Sequence, residues 1–328
     1  MSVYGLSVLF VVFGAMLAAF NAFLFVLTPR LLDWLGRVKP TQRAHSTLLV
    51  RSFPVFAAFL LSVLVFAPAW LRQEPSNTGE TVSLGMAILA ALALLPIAHG
   101  MVRATSMFRR TRTRLRTWRR RGYSAARAGT PYEVFEVRSA DLALCVGGYL
   151  KPTIYASAEV MRTLDPAELE AALAHETKHG ETRDPVRLLW MASCPDFLRL
   201  LRLDEPWRRA FARACEFAAD AGASHGKPEV AIDLASALLK VARLRTFSLK
   251  REDAFAEVAV SSAFSSEADL EERVRALAEP LADTPGTNWT LRPWMFVVTS
   301  VALLGFGIVA SEQVHELTEA VATFLAAR

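Results

Sequence analysis

The chain has 328 residues, 53% of them hydrophobic, and a formal net charge of +5. A mean hydropathy of +0.28 is high for a soluble domain and points to a membrane. Three cysteines (Cys145, Cys194 and Cys215) form an odd and sparse set, which excludes a disulfide framework and suits a reducing compartment.

Val3 to Leu27 is apolar except for Ser7 and Asn21, long enough to span a bilayer with some tilt. We read it as a span and not a signal peptide: no basic residue precedes it and no clear cleavage site follows. Gly14 and Ala18 form a small-xxx-small pair that suits a helix contact, and the sequence leaves a homo-oligomer open. Pro29 to Arg51 is expected to be a polar connector. Ser52 to Leu71 and Val82 to Val102 are the second and third spans, joined by a short polar turn from Arg72 to Thr81. His99 falls at the interface. From Arg103 to Arg127 the sequence is rich in arginine and free of acids, so the positive-inside rule makes this side cytoplasmic and the N-terminus external. Because the arginines begin where a span ends, they are read as an anchor for anionic headgroups of the lipid bilayer, in preference to a nucleic-acid site.

Tyr132 to Val137, Leu142 to Val146 and Thr153 to Tyr155 have strand character, the last two joined by Gly147 to Pro152. The edge of this small sheet could take an extended peptide as an added strand. A helix follows. Asp165 is a good N-cap, Pro166 suits the first helical position, Glu168 completes a capping box, and Gly180 is expected to stop the helix.

That helix carries His175-Glu176-Thr177-Lys178-His179. Histidines four apart share a face, about 6 Å apart along the axis, and can hold one Zn²⁺ from the same side. Glu176 could then act as general base on a water at that metal. A third protein ligand is needed. Glu216 supplies it on a second amphipathic helix, and Asp220, one turn on, can fix the tautomer of a ligand histidine. Cys215 lies about 100° off the Glu216 face and is read as a small core residue. His225 and Arg183 are candidate donors to the oxyanion of an amide hydrolysis.

The charges in Val186 to Leu203 argue against a span and for amphipathic helices on the domain or membrane surface. Glu205 to Ala223 and Pro228 to Leu244 are helices, the latter burying Val230, Leu234, Ala237, Leu238 and Val241. Arg251 to Ser266 is a loop, Leu270 to Leu277 a short charged helix, and Pro280 to Asn288 a linker. Trp294 to Ala310 is just long enough for a fourth span, with Trp289 and Trp294 in an interfacial belt.

Three spans, a basic segment, Leu164 to Leu169, the His175 to His179 motif with Arg183-Asp184-Pro185, and then Glu216 to Asp220 in this order resemble the BlaR/MecR class of integral-membrane zinc peptidases. The resemblance covers about Val3 to Ala310, and the metal motif is its most specific part. More distantly, HtpX-like and CAAX prenyl-protein proteases share similar motifs, but tend to place spans between the two metal helices. The resemblance implies a gluzincin-type domain facing the cytoplasm, with one zinc on His175, His179 and Glu216, Glu176 as base, and Asp184 as a second residue orienting a ligand. The expected fold is mainly α and membrane-embedded. Residues 1–102 hold three spans (about 3–27, 52–71 and 82–102), 103–290 form an α+β zinc-protease domain with a small sheet, 291–311 make a fourth span, and 312–328 form a short external tail. That tail is too short for the penicillin-binding sensor of antibiotic receptors. The expected activity is hydrolysis of a protein or peptide substrate at the cytoplasmic face, such as cleavage of a repressor. The runners-up are a membrane quality-control protease and a zinc-stabilised docking protein without catalysis.

Overall fold

The computed structural model describes residues 3–68, 70, 82–125, 130–139, 144–248 and 267–279. The loop read at Arg251 to Ser266, the linker, the fourth span and the tail lie outside these residues. Most of what is described is helical, with one small mixed sheet and three helices long and apolar enough to cross a membrane.

The first is α1, Val3–Gly36. It runs on through Pro29 and the first charged residues. The next, α2, Pro40–Leu60, starts with Pro40 at its first turn and continues as a π-helical stretch, Leu61–Phe66. The expected connector from Pro29 to Arg51 is therefore corrected to two helix ends and a tight turn. Arg43 closes that turn by donating to the Gly36 and Val38 carbonyls at 2.5 and 3.1 Å, which would otherwise lack partners at the end of α1. Polarity marks where a helix leaves the apolar layer, not where the helix stops.

The third, α3, Leu84–Arg121, begins with the Ser83 side chain accepting from Met86 N–H and ends in Arg119, Arg120 and Arg121. At 38 residues it is about 57 Å long, nearly twice a hydrocarbon core, so a helix of this length that crosses a bilayer would carry its basic end clear of it. That end carries a four-stranded sheet, β1 Gly122–Ala125, β2 Val134–Val137, β3 Leu144–Gly147 and β4 Thr153–Ser157, in the order β1-β2-β4-β3. β2 and β4 run parallel; the other pairs are antiparallel. β1 went unread because Gly-Tyr-Ser-Ala has no alternation and is largely exposed. On one face of the sheet, Val137, Cys145 and Tyr155 pack on Trp118 of α3. On the other, Val134, Leu144, Val146, Ile154 and Ala156 pack on the helices that follow.

Those are α4 Ala158–Thr163, α5 Pro166–Glu181, α6 Asp184–Ser193, α7 Phe197–Leu200, α8 Glu205–Ser224, α9 Pro228–Ser248 and α10 Glu267–Ala278. The expected buried stripe of α9 packs under α5 and β4. α8 lies along α2, with Phe211, Ala214 and Cys215 against Ala44 and Leu48.

The segment α6–α7 is amphipathic as expected, with Val186 and Trp190 exposed, but its other side packs deeply against the three long helices. Phe197 packs among Phe13, Leu17, Ala58 and Ile97, residues of all three spans. Gly100 meets the Ser193 carbonyl so closely that any side chain there would collide, and Trp190 donates to Ser52 at 2.8 Å. The charges do not forbid this depth because they pair inside the protein. Arg51 of α2 forms a buried ion pair with Asp196, and Arg199 holds Asp204 at 2.5 Å. Non-helical backbone is tolerated at such a place when protein, not lipid, surrounds it. Arg51→Met should lower stability by about 3 kcal/mol by leaving Asp196 buried and unpaired, while Arg51→Met with Asp196→Leu should recover most of the loss. Unfolding in detergent checks this; a double variant as unstable as the single one would show that the ion pair is not what the site lacks.

Candidate metal centre

The start of α5 is built as the capping residues require. The Asp165 side chain accepts from the third residue, and Glu168 accepts from Asp165 N–H at 2.9 Å. Glu168 also accepts from Ser236 at 2.6 Å and Lys240 at 2.7 Å, tying the helix to α9. Burial would raise the Glu168 carboxyl, yet these donors hold it below its usual range. Gly180 does not stop the helix, which runs to Glu181 with Thr182 as its cap. Its use is a close approach: a Cβ there would lie 2.5 Å from Cε2 of Tyr132.

One turn apart on α5, the two histidines meet at their Nε2 atoms, 3.1 Å from each other. Glu216 arrives from α8. Its Oε2 is 3.6 Å from His175 Nε2 and its Oε1 is 3.6 Å from His179 Nε2. Two donors each bonded to a tetrahedral zinc at about 2.0–2.1 Å are about 3.4 Å apart. The 3.1 Å between the two nitrogens and the 3.6 Å from each to one of the two Glu216 oxygens lie around that figure, and one ligand atom from each residue falls within 4.8 Å of the others, so this donor set could hold one metal ion of that size. Among the described residues it is the group of His, Cys, Asp and Glu that could hold a metal.

A carboxylate also lies near each outward ring nitrogen. His175 Nδ1 lies 2.9 Å from Asp220 Oδ1, and His179 Nδ1 lies 2.8 Å from Asp184 Oδ2. Carboxylates at Nδ1 favour the tautomer that leaves Nε2 free for a metal. Asp220 and Asp184 are both buried. The charged side chains of the cluster pair with one another. Burial would depress the His175 imidazolium, but Asp220 and Glu216 outweigh it and push its pKa up to about 10. Burial would raise Glu216, but Arg273 and the two histidines bring it down to about 2. Asp220 is held low in the same way, against burial, chiefly by Arg273.

Arg273 is the residue the sequence reading missed. It projects from α10 and is 4% exposed. One terminal nitrogen reaches Glu216 Oε2 at 2.7 Å, and its other two nitrogens take both oxygens of Asp220 at 2.7 Å. Burial works against its charge, but the carboxylates raise its pKa further. The signal available was an arginine inside Leu270 to Leu277, in a helix whose charges otherwise look solvated; only three-dimensional proximity singles it out.

Glu176 is buried, and its Oε2 accepts the N–H of Val146 at 2.8 Å, on the outermost strand of the sheet. The base candidate and the sheet edge are therefore in direct contact. Cys215 packs with Ala44 and Phe211 as a core residue, its thiol pushed well up by burial and then by Asp184.

Two candidates are not brought to the cluster. His225 is exposed and caps α8 in a left-handed conformation (φ 47°). It lies nine residues beyond Glu216, about 13 Å along the helix, too far to meet an oxyanion at the metal. Arg183 is also exposed, in the left-handed turn (φ 54°) between α5 and α6. The turn serves the site by placing the next residue, Asp184, at His179.

No family model and no curated protein matches the chain. The chemistry of these side chains and their distances therefore carry the functional reading.

Proposed function

We propose that the chain is an integral-membrane zinc metallopeptidase that cleaves a protein or peptide substrate beside the membrane. The observation that carries this is the convergence of two imidazole Nε2 atoms and one carboxylate, each imidazole backed by an acid, with Glu176 next to the first ligand. His175, His179 and Glu216 would hold the ion. When bound, zinc supplies Lewis acidity, polarising a scissile carbonyl and acidifying a water. Glu176 takes the proton from the attacking water as the C–O bond forms, and returns it to the leaving nitrogen as the C–N bond breaks. Asp184 and Asp220 keep the two rings in register. Val146 N–H holds the Glu176 carboxylate at the sheet edge, where an extended peptide would lie.

The resemblance to the BlaR/MecR class fits this reading. It adds a cytoplasmic location for the domain, a fourth span at 291–311, and a regulatory role such as cleavage of a repressor. The Val146 contact also favours a second reading, in which Glu176 is a structural group and the zinc only holds α5 to α8. Purified protein should contain one zinc per chain, and His179→Ala should lose it; full occupancy in that variant would overturn the ligand assignment. Comparing protein fragments in cells carrying the wild type or Glu176→Gln separates the two readings and identifies the substrate.

A further inference from the structure

The β3–β4 hairpin runs back along α3 toward its apolar part. Down α3, the exposed residues Leu94, Met101 and Phe108 are spaced by seven and so form one stripe, 38%, 66% and 42% exposed. The upper part of that stripe belongs to an apolar helix long enough to cross a membrane, so it faces lipid. Continued toward the basic end, the same face becomes Phe108, Thr111, Leu115 and Trp118, and here the sheet covers it. β3 climbs this face in order. Cys145 packs with Trp118, and Gly147 sits against Leu115 so closely that a Cβ would lie 2.6 Å from its Cδ2. Tyr149 then stacks on Phe108 with ring centroids 5.4 Å apart and bonds to Thr111 through its hydroxyl at 3.1 Å. The strand thus runs from Trp118 toward the membrane, and its turn stops where the lipid-facing stripe begins.

At that turn Leu150 is 96% exposed, followed by exposed Lys151. Phe108 is five residues, about 7.5 Å, beyond Arg103, where the apolar part of α3 ends. The headgroup layer is about 5–7 Å deep on each side of the hydrocarbon. The tip, beside Phe108, therefore lies at the outer edge of the headgroups, close to exposed Arg109 and Arg112.

We infer that the turn Tyr149-Leu150-Lys151 is a membrane-docking tip, with Leu150 seated in the bilayer interface on the side of the sheet and Lys151 at lipid phosphates. An apolar side chain flanked by an aromatic and basic residues suits that layer. Through β3 the tip would fix the height of Val146, and so of the Glu176 carboxylate, below the membrane. The inference rests on the position of α3 and not on the proposed hydrolysis.

All three cysteines are buried, so a cysteine placed at an exposed site can be labelled selectively. The test compares an environment-sensitive fluorophore on Leu150→Cys with one on Tyr123→Cys, an exposed position in β1 at the far end of α3. The protein is reconstituted in vesicles of phosphatidylcholine with one quarter phosphatidylglycerol, some carrying a quencher near the headgroup. Quenching by lipid at position 150 is expected to exceed that at 123 by about threefold or more, since only the former lies within the interfacial depth. Any smaller ratio overturns the inference. Leu150 supports no packing, so the substitution leaves the fold as it is, and metal content measured on the same samples reports separately on the zinc site.

Discussion

Glu176→Gln is expected to abolish measurable hydrolysis while leaving fold and zinc content unchanged. Glutamine keeps an oxygen that can accept from Val146 N–H, so the 2.8 Å contact to β3 survives. It removes the one property the proposed chemistry needs, a carboxylate able to take and return a proton. Loss of a positioned general base costs about 10²- to 10⁴-fold in rate. The readout is the set of protein fragments formed in cells, or turnover of a substrate found that way, with zinc measured on the same preparation. Turnover within a few-fold of wild type would remove Glu176 from the chemistry and leave the zinc a structural role. Loss of zinc or of the folded state would instead show that the Val146 contact needs the negative charge.

Much of the site was legible because it is written in local spacing. His175 and His179 share a face by helical geometry alone, and the Asp165-Glu168 box fixes where that helix starts. Glu216 and Asp220 could be proposed because two acids one turn apart in an Ala-rich helix call for buried partners, and the structure supplies them in His175, His179 and Arg273. What stayed hidden depends on contacts far apart in sequence. Arg273 is in a helix that looks charged and solvated, and nothing within α10 shows that one of its arginines turns inward. Arg51 and Asp196 each argue against burial when considered alone, and only their pairing lets α6–α7 enter the span bundle. His225 failed for a simple metric reason: nearness in sequence to Glu216 becomes distance along a straight helix.

Arg273→Met should destabilise the metal-free protein by about 3–5 kcal/mol, the range for removing one partner from a buried charge cluster. Arg273 contacts three carboxylate oxygens at 2.7 Å, and its loss leaves Glu216 and Asp220 facing each other across one helical turn with only the histidines to neutralise them. Methionine fills similar volume, so the effect isolates charge and hydrogen bonding from packing. A bound divalent cation would replace part of the missing charge at Glu216 but none of the bonds to Asp220. The gap between variant and wild type should therefore narrow with zinc and widen when a chelator removes it. Arg273→Lys should recover only part of the loss, because one ammonium cannot span both carboxylates as the planar guanidinium does. Thermal unfolding of the three proteins with and without chelator checks the order. Equal stability of Arg273→Met and wild type in chelator would mean that the acids of this cluster take up protons instead, and that α10 is held by its Arg213 contacts to Asp269 and Glu272 and not by the site.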